Sequence, residues 1–167
     1  MGAINLIKSP SAFERVVKEH QGAVRRLFLN LTLGDSMLSD DLAQDTFVKA
    51  YNSWNSFKML SSTRTWLFRI AYNVFYDYRR SVKLTSDIDT MPARSSRTAD
   101  TTVKLDIYTA LQMLSENERT CVTLAMVEGY SMKEITKITA MAENTVKSHI
   151  HRGKEKLSTY LKQQGYE

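Results

Sequence analysis

Residues 66–80 read WLFRIAYNVFYDYRR, and six of these fifteen residues are aromatic. At 100° per residue, one face of the corresponding helix carries an apolar stripe formed by Leu67, Ile70, Ala71, Val74 and Tyr78. The remaining side carries Phe68, Arg69, Tyr72, Phe75, Tyr76, Arg79 and Arg80. Since the chain shows helical periodicity elsewhere and no strand-like alternation, the sequence predicts an all-α protein.

The aromatic and basic side of this helix has two interpretations. Aromatic rings interleaved with arginines suit single-stranded or melted nucleic acid, because bases stack on the rings while guanidinium groups hold phosphates. A central helix packed on several sides would explain the aromatics equally well. Phe68 and Phe75 are expected in the core under either interpretation, and spacing alone leaves both open.

The preceding helix is predicted from about Ser39 to Trp54. One side carries an apolar stripe, made up of Ala43, Phe47, Ala50, Tyr51 and Trp54. The opposite side carries Asp41, Gln44, Asp45 and Val48. A solvated acidic face is the simpler interpretation. A docking face for a basic partner is the alternative, which Val48 favours because interfaces combine an apolar centre with a polar rim. An earlier helix is predicted to begin at the SAFE sequence of residues 11–14, which has the form of a capping box.

The C-terminal part contains a helix-turn-helix pattern. Capping-box sequences occur at 115–118 (SENE) and 131–134 (SMKE), and the second of these starts a short helix with Ile135 and Ile138. After a turn at 139–142, a longer helix is predicted over about 144–161, with Gly153 allowing close packing. Its polar residues suit the major groove of DNA and include Asn144, Lys147, Ser148, His151 and Arg152. A helical hairpin with a solvated basic face is the alternative.

Composition and length indicate two small helical domains joined by a linker. The chain has 167 residues, a net charge of +5 and a pI near 9.3, a weak indication of a polyanionic partner. Residues 83–103 lack hydrophobic periodicity and are rich in Ser, Thr and Asp. We therefore predict domains over 1–82 and 104–167, with a flexible linker over 83–103.

The sequence lacks the residue arrangements that are typical of disulfide frameworks, metal sites and catalytic sites. Cys121 is the one cysteine, and the three histidines lack ligand partners at useful spacing, so no disulfide framework, metal site or cofactor is predicted. We find no carboxylate cluster, phosphate loop or nucleophile arrangement, so no catalytic residue is proposed. No stretch approaches the ~20 apolar residues of a membrane span. The sequence thus predicts a cytoplasmic protein without direct membrane insertion.

Three segments, in this order, resemble the extracytoplasmic-function (ECF) sigma factors of bacteria. DDLAQDTFVKAYNSW (40–54) is similar to the family's segment for binding RNA polymerase. TRTWLFRIAYNVFYDYRRS (63–81) is similar to its segment for promoter melting and minus-ten recognition. Residues 114–157 resemble its minus-thirty-five domain. The resemblance covers most of residues 11–161 and implies the small two-domain type, with region 2-like and region 4-like units.

The resemblance implies a role for each group of residues. Core RNA polymerase would be bound by Asp41, Gln44, Asp45 and Val48. The minus-ten element would be read by Arg69, Tyr72, Asn73, Tyr76, Arg79 and Arg80, while the loop 56–63 would help to hold an extruded base. The minus-thirty-five element would be contacted by Asn144, Thr145, Lys147, Ser148, His151 and Arg152. The implied partners are core RNA polymerase, promoter DNA and an anti-sigma factor, which in this family is often anchored in the membrane.

The chain departs from the family pattern in its recognition helix and its base-holding loop. Ala142 stands where a Ser or Thr cap is common, so the recognition helix is expected to begin at Asn144, and His149 stands where an Arg is common. The stretch 61–63 lacks an aromatic residue that some members carry. A stand-alone helix-turn-helix regulator remains the alternative function, but it explains neither the acidic face nor the aromatic-basic helix. A nucleic-acid enzyme is a distant third.

Overall fold

The computed structural model describes residues 9–86 and 102–166, with side chains from residue 107 onward in the second range. The α-helices are α1 (Pro10–Leu31), α2 (Ser36–Ser53), α3 (Thr63–Thr85), α4 (Thr102–Gln112), α5 (Glu116–Val122), α6 (Met132–Thr139) and α7 (Glu143–Gln163). Short turns of 3-10 helix (Trp54–Ser56) and π-helix (Thr123–Val127) follow α2 and α5. No strand occurs within these ranges, and the all-α prediction is confirmed. Most of the expected linker, residues 87–101, lies outside the described residues.

Helix starts follow side-chain capping, with two corrections to the sequence prediction. The capping boxes at Ser115 and Ser131 both form. Helix α1, however, is capped by Ser9, whose hydroxyl accepts from the Ala12 amide at 3.2 Å, and not by Ser11. Pro10 explains this, since its fixed φ and missing N–H suit the first helical position. Helix α7 begins at Glu143, after an Ala142 that provides no side-chain cap, and therefore one residue before the expected Asn144.

The N-terminal unit is built around α3, which contacts both α1 and α2. Phe68 and Phe75 are 0% and 2% exposed, so their prediction as core residues is confirmed. The stripe predicted for α2 is partly wrong, because Tyr51 is 55% exposed, although its ring meets the Phe13 ring at 5.3 Å in an edge-type contact. The buried stripe of α2 consists of Ser39, Leu42, Thr46 and Ala50.

Buried polar residues explain this shift of the α2 stripe. The Thr46 hydroxyl donates to the Leu42 carbonyl at 2.8 Å, and the Ser39 hydroxyl donates to the Asp35 carbonyl at 2.6 Å. Both hydroxyls satisfy their hydrogen bonds within the helix or its cap, so burial costs little. Hydrophobic periodicity alone therefore places the centre of the stripe too far toward Tyr51.

The C-terminal unit depends on the close crossing of α5 and α7. A Cβ atom added to Gly153 would lie 2.5 Å from a Val122 methyl carbon and 3.1 Å from one of Leu114. The absence of a side chain thus lets the two helices approach, as the sequence predicted. Val146 is fully buried and anchors the first turns of α7, while Ala140, with φ of 61°, ends α6.

The two units pack against each other. Helix α3 contacts α6, and α1 contacts α5. The buried Arg119 of α5 donates to the Leu31 carbonyl at the end of α1 at 3.3 Å, and the Phe68 ring meets the Tyr130 ring edge to face at 5.4 Å. One hydrophobic cluster therefore extends through both units.

Candidate nucleic-acid and polymerase interfaces

The acidic face of α2 is accessible along its length. Its members Asp41, Gln44, Asp45 and Val48 are all exposed, with Val48 at 54%. The face is turned away from the buried Leu42–Thr46–Ala50 side. At its edge, Arg25 of α1 forms an ion pair of 2.6 Å with Asp40. An apolar side chain surrounded by carboxylates and an amide thus lies open to a partner.

The six α3 residues expected to meet the minus-ten element divide into two groups. Three are exposed, namely Arg69, Asn73 and Arg80, and three are partly buried, namely Tyr72, Tyr76 and Arg79. The Tyr72 and Tyr76 rings lie 4.5 Å apart between centroids. The Tyr76 hydroxyl donates to the Asn117 side-chain oxygen at 2.9 Å, and Arg79 forms an ion pair with Glu116. The C-terminal unit therefore covers part of this surface.

Burial also sets the protonation of the α3 tyrosines. It raises the pKa of Tyr76 to about 12, against a smaller lowering by the nearby Thr120 hydroxyl, and it raises the pKa of Tyr72 in the same direction. Both phenols are therefore neutral at physiological pH. A neutral phenol beside an arginine can stack on a base and donate a hydrogen bond without repelling the phosphate backbone.

The loop expected to hold an extruded base borders a cavity of about 230 Å³. The cavity is lined by Leu60, Ser61, Thr65, Trp66, Arg69 and Lys137. Trp66 provides an aromatic wall and stacks on Phe57 at 4.4 Å, although stretch 61–63 itself lacks an aromatic residue. Sequence reasoning missed Lys137, because this residue comes from the other unit and no local pattern links it to the loop.

The face of α7 that is expected to read DNA is open to solvent. All six residues expected to contact the minus-thirty-five element are exposed, namely Asn144, Thr145, Lys147, Ser148, His151 and Arg152. His149, in contrast, is half-buried, and burial together with the neighbouring Arg152 lowers its pKa. A half-buried imidazole with a lowered pKa is a poorer phosphate contact than an arginine, so we do not expect His149 to take the place of the arginine common at this position.

Sequence reasoning missed a buried acid behind α7. The Glu118 carboxylate lies 3.8 Å from the Arg152 guanidinium and 2.8 Å from the Lys156 ammonium. Burial alone would raise the pKa of Glu118, but the hydrogen bonds from Lys156 and the Ser115 amide, with both nearby cations, lower it overall. Glu118 is the acid of the Ser115 capping box, which was the one sequence signal pointing to it. The contact partly neutralises Arg152 while orienting its side chain.

The described residues contain no cluster of three or more His, Cys, Asp or Glu side chains arranged to hold a metal ion. Cys121 is buried, which raises the pKa of its thiol to about 11. No helix within the described ranges is long and apolar enough to cross a membrane.

Comparison with known proteins gives a family for each unit. Residues 16–85 match the family described as Sigma-70 region 2, and residues 104–157 match the one described as Sigma-70, region 4. The region 2 match lies in the N-terminal unit and the region 4 match lies in the C-terminal unit, which is the order expected from the sequence.

Whole-chain relatives agree with these matches. The chain is 31% identical over 160 residues to the ECF RNA polymerase sigma factor SigE of Mycolicibacterium smegmatis, which covers 90% of this chain and 62% of SigE. It is 30% identical over 148 residues to EcfG of Rhodopseudomonas palustris, covering 85% of this chain and 81% of EcfG. The chain thus spans about three fifths of the length of SigE.

A solved structure shares the whole fold. The sigma factor RpoE of Bartonella quintana, crystallised with the anti-sigma factor NepR, superposes with a TM-score of 0.76 at 29% identity, over 90% of this chain and 97% of RpoE. With two sigma-70 regions in order and whole-chain relatives of the same kind, the chain belongs to the ECF RNA polymerase sigma factors, transcription initiation factors that bind core RNA polymerase and direct promoter recognition and DNA melting.

Proposed function

We propose that this sigma factor uses three separate surfaces to bind core RNA polymerase, the minus-ten element and the minus-thirty-five element. The exposed face of α2, with Asp41, Gln44, Asp45 and Val48, docks on a basic surface of core RNA polymerase. The reading side of α3 recognises and holds the minus-ten strand, and the first turns of α7 contact the minus-thirty-five element. The proposed domains are residues 1–82 and 104–167, and the linker predicted over 83–103 overlaps the end of α3 at Thr85 and the start of α4 at Thr102.

The observation that carries this proposal is the contrast between the buried and exposed sides of α7. Val146 is fully buried, whereas all six polar residues assigned to the minus-thirty-five element are accessible to solvent. A helix fixed on one side with short polar and basic groups on the other suits the major groove. The neighbouring tyrosines and arginines of α3 suit a melted strand in the same way.

Two further features of the proposal follow from the partners. The chain acts as a non-enzymatic subunit, because the chemistry of transcription belongs to the polymerase core, and it works in the cytoplasm with core and promoter. Since the related RpoE of B. quintana was solved with an anti-sigma factor, we propose that a protein of this class also holds the present chain inactive. If that anti-sigma factor is anchored in a membrane, the anchor would connect the activity of this sigma factor to an external signal.

Run-off transcription with purified core polymerase on a genomic promoter library tests the proposed function. Wild-type protein should initiate at a defined set of promoters sharing two sequence elements. The double variant Gln44→Ala, Asp45→Arg should lose roughly 100-fold or more in affinity for core, because a like charge at a complementary interface costs several kcal/mol. Both residues are exposed, so the thermal melting temperature should stay unchanged.

The matched control reverses a charge elsewhere in the same unit. Glu19 of α1 is exposed, and its side chain is 74% accessible. Glu19→Arg should therefore leave affinity for core within about twofold of wild type. Equal losses for Glu19→Arg and the double variant would indicate a net-charge effect, and normal core binding by a folded double variant would refute the docking role.

A further inference from the structure

The Glu128 carboxylate is the most deeply buried charge between the two units. Its side chain is 0% exposed, and it accepts two parallel hydrogen bonds from Arg26 of α1, both of 2.8 Å. Arg64 of α3 donates to the same carboxylate at 2.9 Å and to the Glu128 backbone carbonyl at 3.0 Å. Within the described residues, these hydrogen bonds to the carboxylate all come from the N-terminal unit.

The surroundings of this ion pair are aromatic. The Arg64 guanidinium lies over the Tyr130 ring at 4.7 Å and over the Phe68 ring at 5.3 Å. Both rings are buried, at 7% and 0% exposure. The Glu128 side chain is fully buried, whereas the Arg26 and Arg64 side chains are 50% and 35% exposed. The cost of breaking the pair therefore falls mainly on the carboxylate, which would be left buried and unpaired. Glu128 is thus compensated when the units are together and must regain water when they separate.

The same closure covers side chains assigned to the minus-ten strand. Tyr76 donates to Asn117, and Arg79 pairs with Glu116 on α5. Guanidinium groups bind carboxylates and phosphates through the same forked hydrogen bonds. Glu116 therefore occupies the place that a DNA phosphate would take beside Arg79. Lys137 lies beside Arg69 at the cavity next to the base-holding loop.

Promoter dimensions require this arrangement to open. The minus-ten and minus-thirty-five elements lie roughly 25 base pairs apart, which is about 85 Å at 3.4 Å per base pair. A compact chain of this length is roughly 40 Å across. The peptide between residues 86 and 102 can extend at most about 55 Å, enough for the separated units to reach both elements.

We propose that Glu128 is an intramolecular latch: by holding Arg26 and Arg64 it keeps the free sigma factor closed, with Tyr76 and Arg79 covered by the C-terminal unit. The latch goes beyond the proposed function, and only its consequence for DNA rests on the minus-ten assignment. The face of α2 and the reading face of α7 remain exposed in the closed form. Docking on polymerase or on duplex DNA can therefore begin before the latch opens.

A distance measurement on the full chain tests the latch. Spin labels at Gln21→Cys on α1 and Lys162→Cys on α7 occupy exposed positions in different units. The native Cys121 is buried with a raised thiol pKa and should remain unlabelled at pH 7. Wild type should give a predominant short distance population. Glu128→Gln, and independently Arg26→Gln, should shift most molecules to longer and broader distances.

Binding of fluorescein-labelled single-stranded dT12 gives the second readout. If the binding-competent fraction rises from about a tenth to nearly all molecules, the apparent Kd for dT12 falls about tenfold. Glu155→Gln is the matched control, because it removes the same charge from the C-terminal unit at an exposed site. It should change neither the distance nor the Kd.

Each outcome has one meaning. Unchanged distances in both folded latch variants would overturn the proposal, whatever their affinity for dT12. Longer distances with tighter dT12 binding would support both the latch and the covered reading surface. Longer distances with unchanged dT12 binding would support the latch while rejecting the minus-ten role of Tyr76 and Arg79. Circular dichroism melting of each variant establishes that its units are folded.

Discussion

Helices α3 and α7 are both long and basic and are both assigned to DNA, yet they are held in different ways. Helix α3 buries side chains on several sides, including Leu67, Phe68 and Phe75, and part of its reading side is covered by the other unit. Helix α7 buries only Val146 and Gly153, and the side assigned to DNA is exposed, with Arg152 lying 3.8 Å from Glu118. Under the proposed function, the helix assigned to duplex DNA is attached from one side, whereas the helix assigned to the melted strand is embedded and partly covered.

The largest expected effect on stability comes from shortening a buried side chain of α3, and it tests whether α3 is embedded more deeply than α7. Phe68→Ala should lower the free energy of unfolding by about 3–5 kcal/mol, because it removes a fully buried ring and its contact with Tyr130. Leu157→Ala on α7 should cost only about 1 kcal/mol, since Leu157 is half-buried. Urea denaturation followed by circular dichroism measures both. Equal losses would mean that α7 is embedded as deeply as α3.

A matched pair of glycine substitutions examines the close approach of α7 to α5 at Gly153. Gly153→Ala should destabilise the protein by about 1–3 kcal/mol, because the new Cβ would lie 2.5 Å from a Val122 methyl carbon. Gly22→Ala on α1 places the same atom in open space and should stabilise by about 1 kcal/mol through helix propensity. Thermal melting of both variants checks this. Stabilisation by Gly153→Ala would mean that α5 and α7 can move apart freely.

The sequence was sufficient for features whose cause is local. Helical periodicity identified α3 with its buried Leu67 and Val74, and the capping boxes at Ser115 and Ser131 marked the starts of α5 and α6. The start of α1 was misplaced because Ser9 and Ser11 both fit a cap, and Pro10 decides between them. Tyr51 was misplaced because buried hydroxyls on α2 satisfy themselves within the helix.

Contacts between the units could not be derived from the sequence. Arg26 and Glu128 lie 102 residues apart, and neither belongs to a periodic or capping pattern that would pair them. The same holds for Tyr76 with Asn117 and for Lys137 beside the base-holding loop. The residues assigned to DNA and polymerase were thus found one helix at a time. The C-terminal unit covers part of the α3 residues assigned to the minus-ten element, and this covering depends on pairings between distant segments.

Charge removal on α7 should weaken promoter binding in a salt-dependent manner. Lys147→Ala with Arg152→Ala should reduce holoenzyme binding to duplex promoter DNA about tenfold at low salt, and lower the slope of log affinity against log salt by about 2. Lys147 is exposed, and Arg152 lies farther from the buried Glu118 than Lys156 does (3.8 Å against 2.8 Å), so the loss of folding stability should be small and is checked by thermal melting. Gel-shift titrations at several salt concentrations measure the slope. An unchanged slope would contradict phosphate contacts at these positions.

The smallest expected effect concerns Asn73 and separates strand opening from binding. Asn73 is exposed on α3, and its side chain makes no hydrogen bond within the described residues, so its amide is available to a base that has left the stack. Losing one such bond should cost about 1 kcal/mol. Asn73→Ala should therefore reduce promoter opening by roughly 3- to 10-fold while largely keeping closed-complex binding. Lys147→Ala is the reciprocal control, since it should weaken duplex binding without a separate defect in opening. Permanganate footprinting of the bubble beside a gel-shift assay resolves the two steps, and normal opening by a folded Asn73→Ala variant would show that this amide does not read the melted strand.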